Sequence, residues 1–86
     1  MRHYYMIKDK IYNEWIVKTS PGEGNYIATI IVRDRYKVLA IRKAAVFLWA
    51  LWYKERQVSS LKIHKMNGRF QEERTYPRWE SGPDTK

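Results

Sequence analysis

The sequence predicts an α+β domain in which one long helix packs on one face of an antiparallel sheet, with its elements in the order β-β-β-α-β-β. Three observations support this prediction. Short segments rich in Tyr, Ile and Val, separated by turn residues, lie before residue 33. A long apolar segment follows at residues 44–53, and the pair Asn67-Gly68 then divides two further strand-like segments.

The part of the chain before the helix predicts three strands. Residues 4–12 and 14–19 combine β-branched and aromatic residues, and Asn13 supplies the turn between them. Residues 20–25 contain a proline and two glycines, which predict a loop because Pro fixes φ and Gly permits positive φ. Residues 26–32 form the most apolar of these segments, and we expect them to be a central strand.

A helix is predicted from about residue 35 to residue 57, with Asp34 as the N-cap that accepts hydrogen bonds from amides of the first turn. Its segment 44–53 is apolar on every side, whereas a surface helix normally carries charge on one face. A single domain of 86 residues cannot easily surround such a helix. We therefore expect a homodimer whose interface includes residues of this segment, namely Val46, Phe47, Trp49, Ala50 and Tyr53.

A β-hairpin is predicted after the helix, from residues 61–66 and 69–74. The intervening Asn67-Gly68 is favoured in a type I′ turn, because both central residues of that turn need positive φ. The alternation of side chains gives two cross-strand pairs on the solvent face and a set of three inward side chains. The pairs are Lys62 with Glu73 and His64 with Gln71, and the inward residues are Leu61, Ile63 and Phe70.

Residues 61–76 resemble the end of a small bacterial and phage family that is catalogued only as domain-of-unknown-function family 2188. Characteristic of that family are an Ile-His step, a turn ending in Gly, an apolar residue two positions later, a charged stretch and a Ser/Thr-Tyr pair. In this chain they are Ile63-His64, Gly68, Phe70, residues 72–74 and Thr75-Tyr76. The strand with Trp15 and an Ala-containing helix before the hairpin are also similar. The resemblance implies a small α+β fold and no established activity.

Composition bounds the class of protein. The absence of cysteine excludes disulfides and thiolate metal sites and favours a cytoplasmic location. The chain begins without the pattern of a signal peptide, and its apolar segment is shorter than the roughly 20 residues that a membrane span needs. We expect one domain over residues 1–76, followed by a flexible tail at 77–86 that is rich in Pro, Gly and Ser.

The residues that could carry enzyme chemistry are few. His64 has only His3 as a second histidine, whereas a metal site needs several converging ligands, so a structural or cross-strand role is expected. Glu72 and Glu73 are adjacent on a strand and therefore point to opposite faces, which excludes an acid–base pair and favours ion pairs with Lys62 or Arg74. We expect no catalytic residues, no metal and no cofactor.

The net charge of +8 and the pI of 9.9 favour an anionic partner, which is DNA or RNA, an anionic membrane surface or an acidic protein. Cations alternate with aromatic residues near the N-terminus, as in proteins that hold phosphates and stack unpaired bases. The candidate nucleic-acid contacts are the cations Lys8, Lys10, Lys18, Arg33 and Arg35 and the stacking residues Tyr5, Tyr12 and Tyr26.

The aromatic residues near the N-terminus have an alternative interpretation. Tyr and Trp have high strand propensity, so these residues can be structural alone.

Two hypotheses for function stay open at this point. The first is a small, basic, dimeric nucleic-acid-associated or regulatory protein. The alternative hypothesis is an interaction module, such as a phage-type inhibitor, that docks on a host protein through the aromatic helix.

Overall fold

The computed structural model describes residues 1–19 and 29–78 of the chain and shows an α+β fold with one helix and a five-stranded sheet. The predicted α+β class is confirmed. Across the sheet the strands lie in the order β3-β2-β1-β4-β5, so β3 and β5 are the edges. Along the chain the elements are β1 (Arg2–Asp9), β2 (Glu14–Lys18), β3 (Ile30–Asp34), α1 (Lys37–Glu55), β4 (Ser59–His64) and β5 (Phe70–Tyr76).

The sheet is mixed, so the prediction of a purely antiparallel sheet is wrong. Strand β3, which was expected to be a central strand, lies at an edge of the sheet, and strand β4 pairs in parallel with β1. The cause is helix α1, whose 19 residues carry the chain about 28 Å back along the sheet. The chain therefore enters β4 at the end where β1 begins, and the amide of Arg2 donates to the carbonyl of Val58 there at 2.9 Å.

The core lies between α1 and one face of the sheet. The helix contributes Ala40, Ala44 and Leu48, spaced four residues apart and fully buried. Two alanines on this stripe allow the helix backbone to approach the sheet closely, and larger sheet residues fill the space around them. The sheet residues with 2% exposure or less that pack there are Met6, Val17, Leu61, Ile63 and Tyr76. The opposite face of the sheet has no helix on it among the described residues.

The ends of the helix differ from the prediction. Its N-cap is Tyr36 in an extended conformation, and no side chain caps the first turn. Asp34 lies two residues earlier, where its carboxylate accepts from the amide of Tyr36 at 2.8 Å. The helix ends at Arg56, which adopts φ 55° and ψ 32°. The amide of Arg56 donates to the carbonyl of Trp52 at 2.9 Å, and the amide of Gln57 donates to the carbonyl of Leu51 at 3.4 Å.

The hairpin turn is not of type I′, because only Gly68 has positive φ, at 89°. The amide of Gly68 donates to the carbonyl of Lys65 at 2.9 Å, and the amide of Lys65 donates to the carbonyl of Arg69 at 2.7 Å. This arrangement is a three-residue loop that ends in a bulge at glycine, in which Asn67 keeps negative φ. The Asn67 side chain instead accepts from the amide of Arg69 at 3.0 Å.

The register of the hairpin is partly as predicted. Lys62 pairs with Glu73, but an irregularity between Ile63 and His64 brings Phe70, and not Gln71, opposite His64. The shift by one residue turns Phe70 to the other face of the sheet, where it is 56% exposed. The prediction that Phe70 points inward with Leu61 and Ile63 is therefore wrong, although those two side chains are fully buried.

Several predicted boundaries shift by two to four residues. β1 begins earlier and ends before a turn at residues 10–13, and β4 begins two residues earlier than expected. The predicted loop at 20–25, the first part of the predicted strand 26–32 and most of the predicted tail lie outside the described residues.

Candidate nucleic-acid interface

Three turns of the chain meet at one end of the sheet. Strands β1, β3 and β4 run in the same direction, so the turns that follow them, at residues 10–13, 35–36 and 65–69, lie together. We call these turns, with the two residues on each side of them, the turn end, which comprises residues 8–15, 33–38 and 63–71. It holds seven cationic and three acidic residues: Lys8, Lys10, Arg33, Arg35, Lys37, Lys65 and Arg69 against Asp9, Glu14 and Asp34.

The opposite end of the sheet is also basic, so charge alone does not distinguish the two ends. The described residues there include Arg2, Lys18, Lys54, Arg56 and Arg78, with Glu55 as the acid. Both ends also carry aromatic rings beside their cations, but among the described residues the opposite end has one ring that is more than half exposed, that of Tyr53 at 68%, whereas the turn end has more. Three of its rings are more than half exposed: Tyr12 at 68%, Tyr36 at 61% and Phe70 at 56%.

Tyr12 has the most defined surroundings of these rings. The guanidinium carbon of Arg33 lies 5.5 Å from the centre of the Tyr12 ring, within the range of a cation–π contact. The Nε of Arg33 donates to a Glu14 carboxylate oxygen at 2.9 Å, which fixes the guanidinium beside the ring. A depression of ≈ 200 Å³ lies next to this group and is lined by Tyr12, Asn13, Glu14 and Arg35.

Trp15 anchors a second group of cations at the turn end. Its ring is 5% exposed, and the ammonium groups of Lys37 and Lys8 lie 4.6 and 5.4 Å from its centre. Burial lowers the pKa of Lys37, while the carboxylate of Glu72 opposes that shift and the charge of Lys65 adds to it. The Lys37 ammonium also donates to the side-chain oxygen of Gln71. The structure thus holds these lysine side chains against the protein, whereas others at this end extend into solvent.

The face of the sheet opposite the helix has two depressions near the turn end. One of ≈ 270 Å³ reaches from Ile11 to Lys18, and one of ≈ 200 Å³ lies beside His64 and Asn67, with Ile7, Lys8 and Lys10 lining both. The Nδ1 of His64 lies 3.0 Å from the carbonyl oxygen of Met6 and therefore donates to it, because a carbonyl can only accept.

The predicted nucleic-acid contacts separate into three groups. Lys8, Lys10, Arg33, Arg35 and Tyr12 meet at the turn end. Lys18 lies at the other end of β2 and is only 7% exposed, and Tyr5 lies half-buried on the uncovered sheet face with the Lys62 ammonium 5.8 Å from its ring centre. Tyr26 lies outside the described residues.

Sequence reasoning missed several residues of the turn end. The chain direction of β4 was needed to bring Lys65, Arg69 and Phe70 beside the β1–β2 turn, and no local pattern indicates it. Tyr36 and Lys37 were expected inside the helix, although position 37, three residues after Asp34, lacks the Glu or Gln that completes a capping box, which is a signal against Asp34 as the N-cap.

The predicted dimer residues lie mainly on the outer face of α1. Val46 and Tyr53 are 71% and 68% exposed, Phe47 is 37% exposed, and Ala50 is half-buried. Trp49 is at the margin of this face, where its ring stacks on Tyr53 at 5.7 Å and meets Tyr76 edge-on at 6.0 Å. With Leu39, which is 40% exposed, these residues define what we call the outer helix face: Leu39, Val46, Phe47, Ala50 and Tyr53.

The predicted ion pairs of the hairpin are confirmed, and each of the two carboxylates of β5, Glu72 and Glu73, takes part in one of them. Glu73 lies 3.4 Å from the Lys62 ammonium, and Glu72 lies 2.8 Å from the Arg74 guanidinium. A hydrogen bond from the Ser60 hydroxyl, and then Lys62, lower the pKa of Glu73. Among residues 1–19 and 29–78, no three His, Cys, Asp or Glu side chains gather where they could hold a metal ion.

Comparison of the chain with protein-family models, with curated proteins and with solved structures gave no match. The resemblance of residues 61–76 to domain-of-unknown-function family 2188 stays a prediction. No helix in the part of the chain that the structure describes is long and apolar enough to cross a membrane.

Proposed function

We propose that this protein binds nucleic acid through the turn end, without sequence preference and without catalysis. The observation that carries the proposal is the convergence of cations from three separate turns around exposed aromatic rings. Phosphate contacts from Lys and Arg give affinity but carry no sequence information. Lys10, Arg35, Lys65 and Arg69 are exposed and make no ion pair with a described residue. We assign phosphate contact to Lys10 and Arg35 because Lys10 lies in the turn that holds Tyr12 and Arg35 lines the depression beside it.

Charge reversal at each end of the sheet tests this assignment. The double variant Lys10→Glu/Arg35→Glu and the control Arg2→Glu/Lys54→Glu both lower the net charge from +8 to +4, and all four residues are exposed. Labelled DNA and RNA oligonucleotides are titrated with each protein over a series of salt concentrations. Binding should weaken steeply with salt, because each phosphate contact releases counterions.

The turn-end variant should bind more weakly than the control and should show a shallower salt dependence. The loss of two phosphate contacts to a single strand reduces the slope of log K against log salt by about 1.4, at about 0.7 for each contact. Equal weakening by the two double variants would show that binding follows total charge and not the turn end. Absence of binding to DNA and RNA below about 100 μM at low ionic strength would remove the proposed function.

The proposal includes self-association through the outer helix face. Leu39, Val46 and Tyr53 are seven residues apart, so they lie along one line of the helix. This line is symmetric about Val46, and two antiparallel copies related by a two-fold axis would place Leu39 against the partner's Tyr53. Symmetric dimers use such self-complementary surfaces.

Docking on an acidic protein is a second candidate function, favoured by the charges beside the same face. Arg42, Lys43 and Lys54 are exposed next to it. Two copies bring like charges together, so salt should strengthen self-association, whereas it should weaken docking on an acidic protein. The salt dependence of association therefore separates the two occupants of the outer helix face.

A further inference from the structure

The turn at residues 10–13 holds the ring of Tyr12 in solvent. The amide of Ile11 donates to the Asp9 carboxylate at 3.2 Å, and Asn13 adopts positive φ at 57°, which closes the turn within four residues. The ring of Tyr12 stays 68% exposed even though Arg33 lies against it. The contact with Arg33 therefore occupies only part of the ring surface and leaves aromatic surface open to solvent.

The depression beside Tyr12 is lined by two kinds of group that can bind a nucleotide without regard to its base. The tyrosine ring provides a stacking surface, and the Arg35 guanidinium provides a cation for a neighbouring phosphate. The depression has a volume of ≈ 200 Å³ and lies beside the exposed ring of Tyr12.

We propose that the nucleic acid bound at the turn end is single-stranded and that one unpaired base stacks on Tyr12 in this depression. The proposal rests on the proposed function and specifies its ligand. In a duplex the faces of the bases are covered by their neighbours, so the exposed rings at the turn end gain contact only from unpaired bases. The cations can bind the phosphates of a duplex or of a single strand, whereas the exposed aromatic rings favour the single strand.

The experiment compares a single-stranded oligonucleotide of about 12 residues with its duplex, at low salt, for four proteins. These are the unchanged chain, Tyr12→Ala, Tyr12→Phe and the charge-reversal variant Lys10→Glu/Arg35→Glu. We expect Tyr12→Ala to weaken single-strand binding by about tenfold and to leave duplex binding unchanged, whereas Tyr12→Phe keeps the ring and most of the affinity. Thermal unfolding of each variant verifies that the fold is retained.

A second measurement locates the base directly. Photocrosslinking of a strand that contains iodouridine, followed by mass spectrometry of the peptides, should place the crosslink on Tyr12. Duplex binding as tight as single-strand binding, or single-strand binding unaffected by Tyr12→Ala, would overturn the proposal. If charge reversal at Lys10 and Arg35 still weakens binding in that case, the proposed function stands without it. If neither form of nucleic acid binds the unchanged chain, both fail.

Discussion

The ammonium of Lys43 lies 2.9 Å from a carboxylate oxygen of Asp34 and so joins the second turn of α1 to the end of β3. The hydrogen bond from Lys43, followed by the one from the Tyr36 amide, lowers the pKa of Asp34 below its ordinary value of 3.8, against a smaller effect of burial. Asp34 thus links the acid stability of the protein to the junction of strand and helix, although it does not act as the N-cap.

This relationship predicts how stability changes with pH. A carboxyl whose pKa is lowered by folding binds a proton less readily when folded, so its contribution is present above the unfolded pKa and is lost as pH falls through the folded one. We expect the contribution of Asp34 to the free energy of unfolding in urea to be constant above about pH 5 and to be lost below about pH 4. Asp34→Asn and Lys43→Met should each flatten the resulting fall in the free energy of unfolding. A fall equally steep in both variants would show that the Asp34–Lys43 pair is not responsible.

Gly68 gives a prediction about backbone conformation alone. Its φ is 89°, and an added Cβ would meet no atom within 4 Å, so a substitution there brings strain without a clash. Gly68→Val should therefore destabilise the fold by about 1–2 kcal/mol, because a β-branched residue rarely adopts positive φ. Gly68→Asn should cost less, since Asn tolerates this region better. Denaturant unfolding measures both, and equal losses would contradict the conformational explanation.

Arg56 ends the helix in the left-handed backbone conformation. Helices that end with a left-handed residue usually have glycine at that position. The Arg56 guanidinium lies 5.2 Å from the ring centre of Trp52, so simple removal of the side chain mixes two effects. Both Arg56→Ala and Arg56→Gly remove that contact, and only the glycine relieves the backbone. We expect Arg56→Gly to be more stable than Arg56→Ala by about 1 kcal/mol in thermal or urea unfolding. A difference near zero would mean that position 56 carries no strain.

The sequence predicts the class of fold and the types of its elements because those depend on local pattern. The alternation in the hairpin predicted the Lys62–Glu73 pair correctly. It could not predict the irregularity after Ile63, which turned Phe70 to the uncovered face beside His64, with the two ring centres 6.0 Å apart. One additional residue in a strand moves the side chains beyond it to the opposite face of the sheet, and nothing in the local composition indicates where it occurs.

The candidate site was predictable only in part, for a reason of topology. Lys10, Tyr12 and Arg35 belong to turns whose residue types are readable in the sequence. Lys65 and Arg69 join them because β4 runs parallel to β1, which the length and direction of the helix decide. Long-range placement of this kind depends on packing of the whole helix and not on periodicity in any one segment.

The outer helix face gives the final prediction, which concerns oligomeric state. Val46 is 71% exposed, so Val46→Glu should leave the folded monomer as stable as before while it places a charge at the centre of the proposed dimer contact. Val38→Glu is the matched control, because Val38 is 63% exposed on the same helix but does not belong to the outer helix face.

Sedimentation over a range of protein concentrations should show a dimer for the unchanged chain and for Val38→Glu, and a monomer for Val46→Glu. The melting temperature of the dimeric proteins should rise with protein concentration, because association stabilises the folded state by mass action. That of Val46→Glu should not. A monomer for the unchanged chain at high micromolar concentration, in both low and high salt, would contradict self-association. The outer helix face would then be assigned to an acidic protein partner, since its exposed apolar residues and flanking cations fit such a surface.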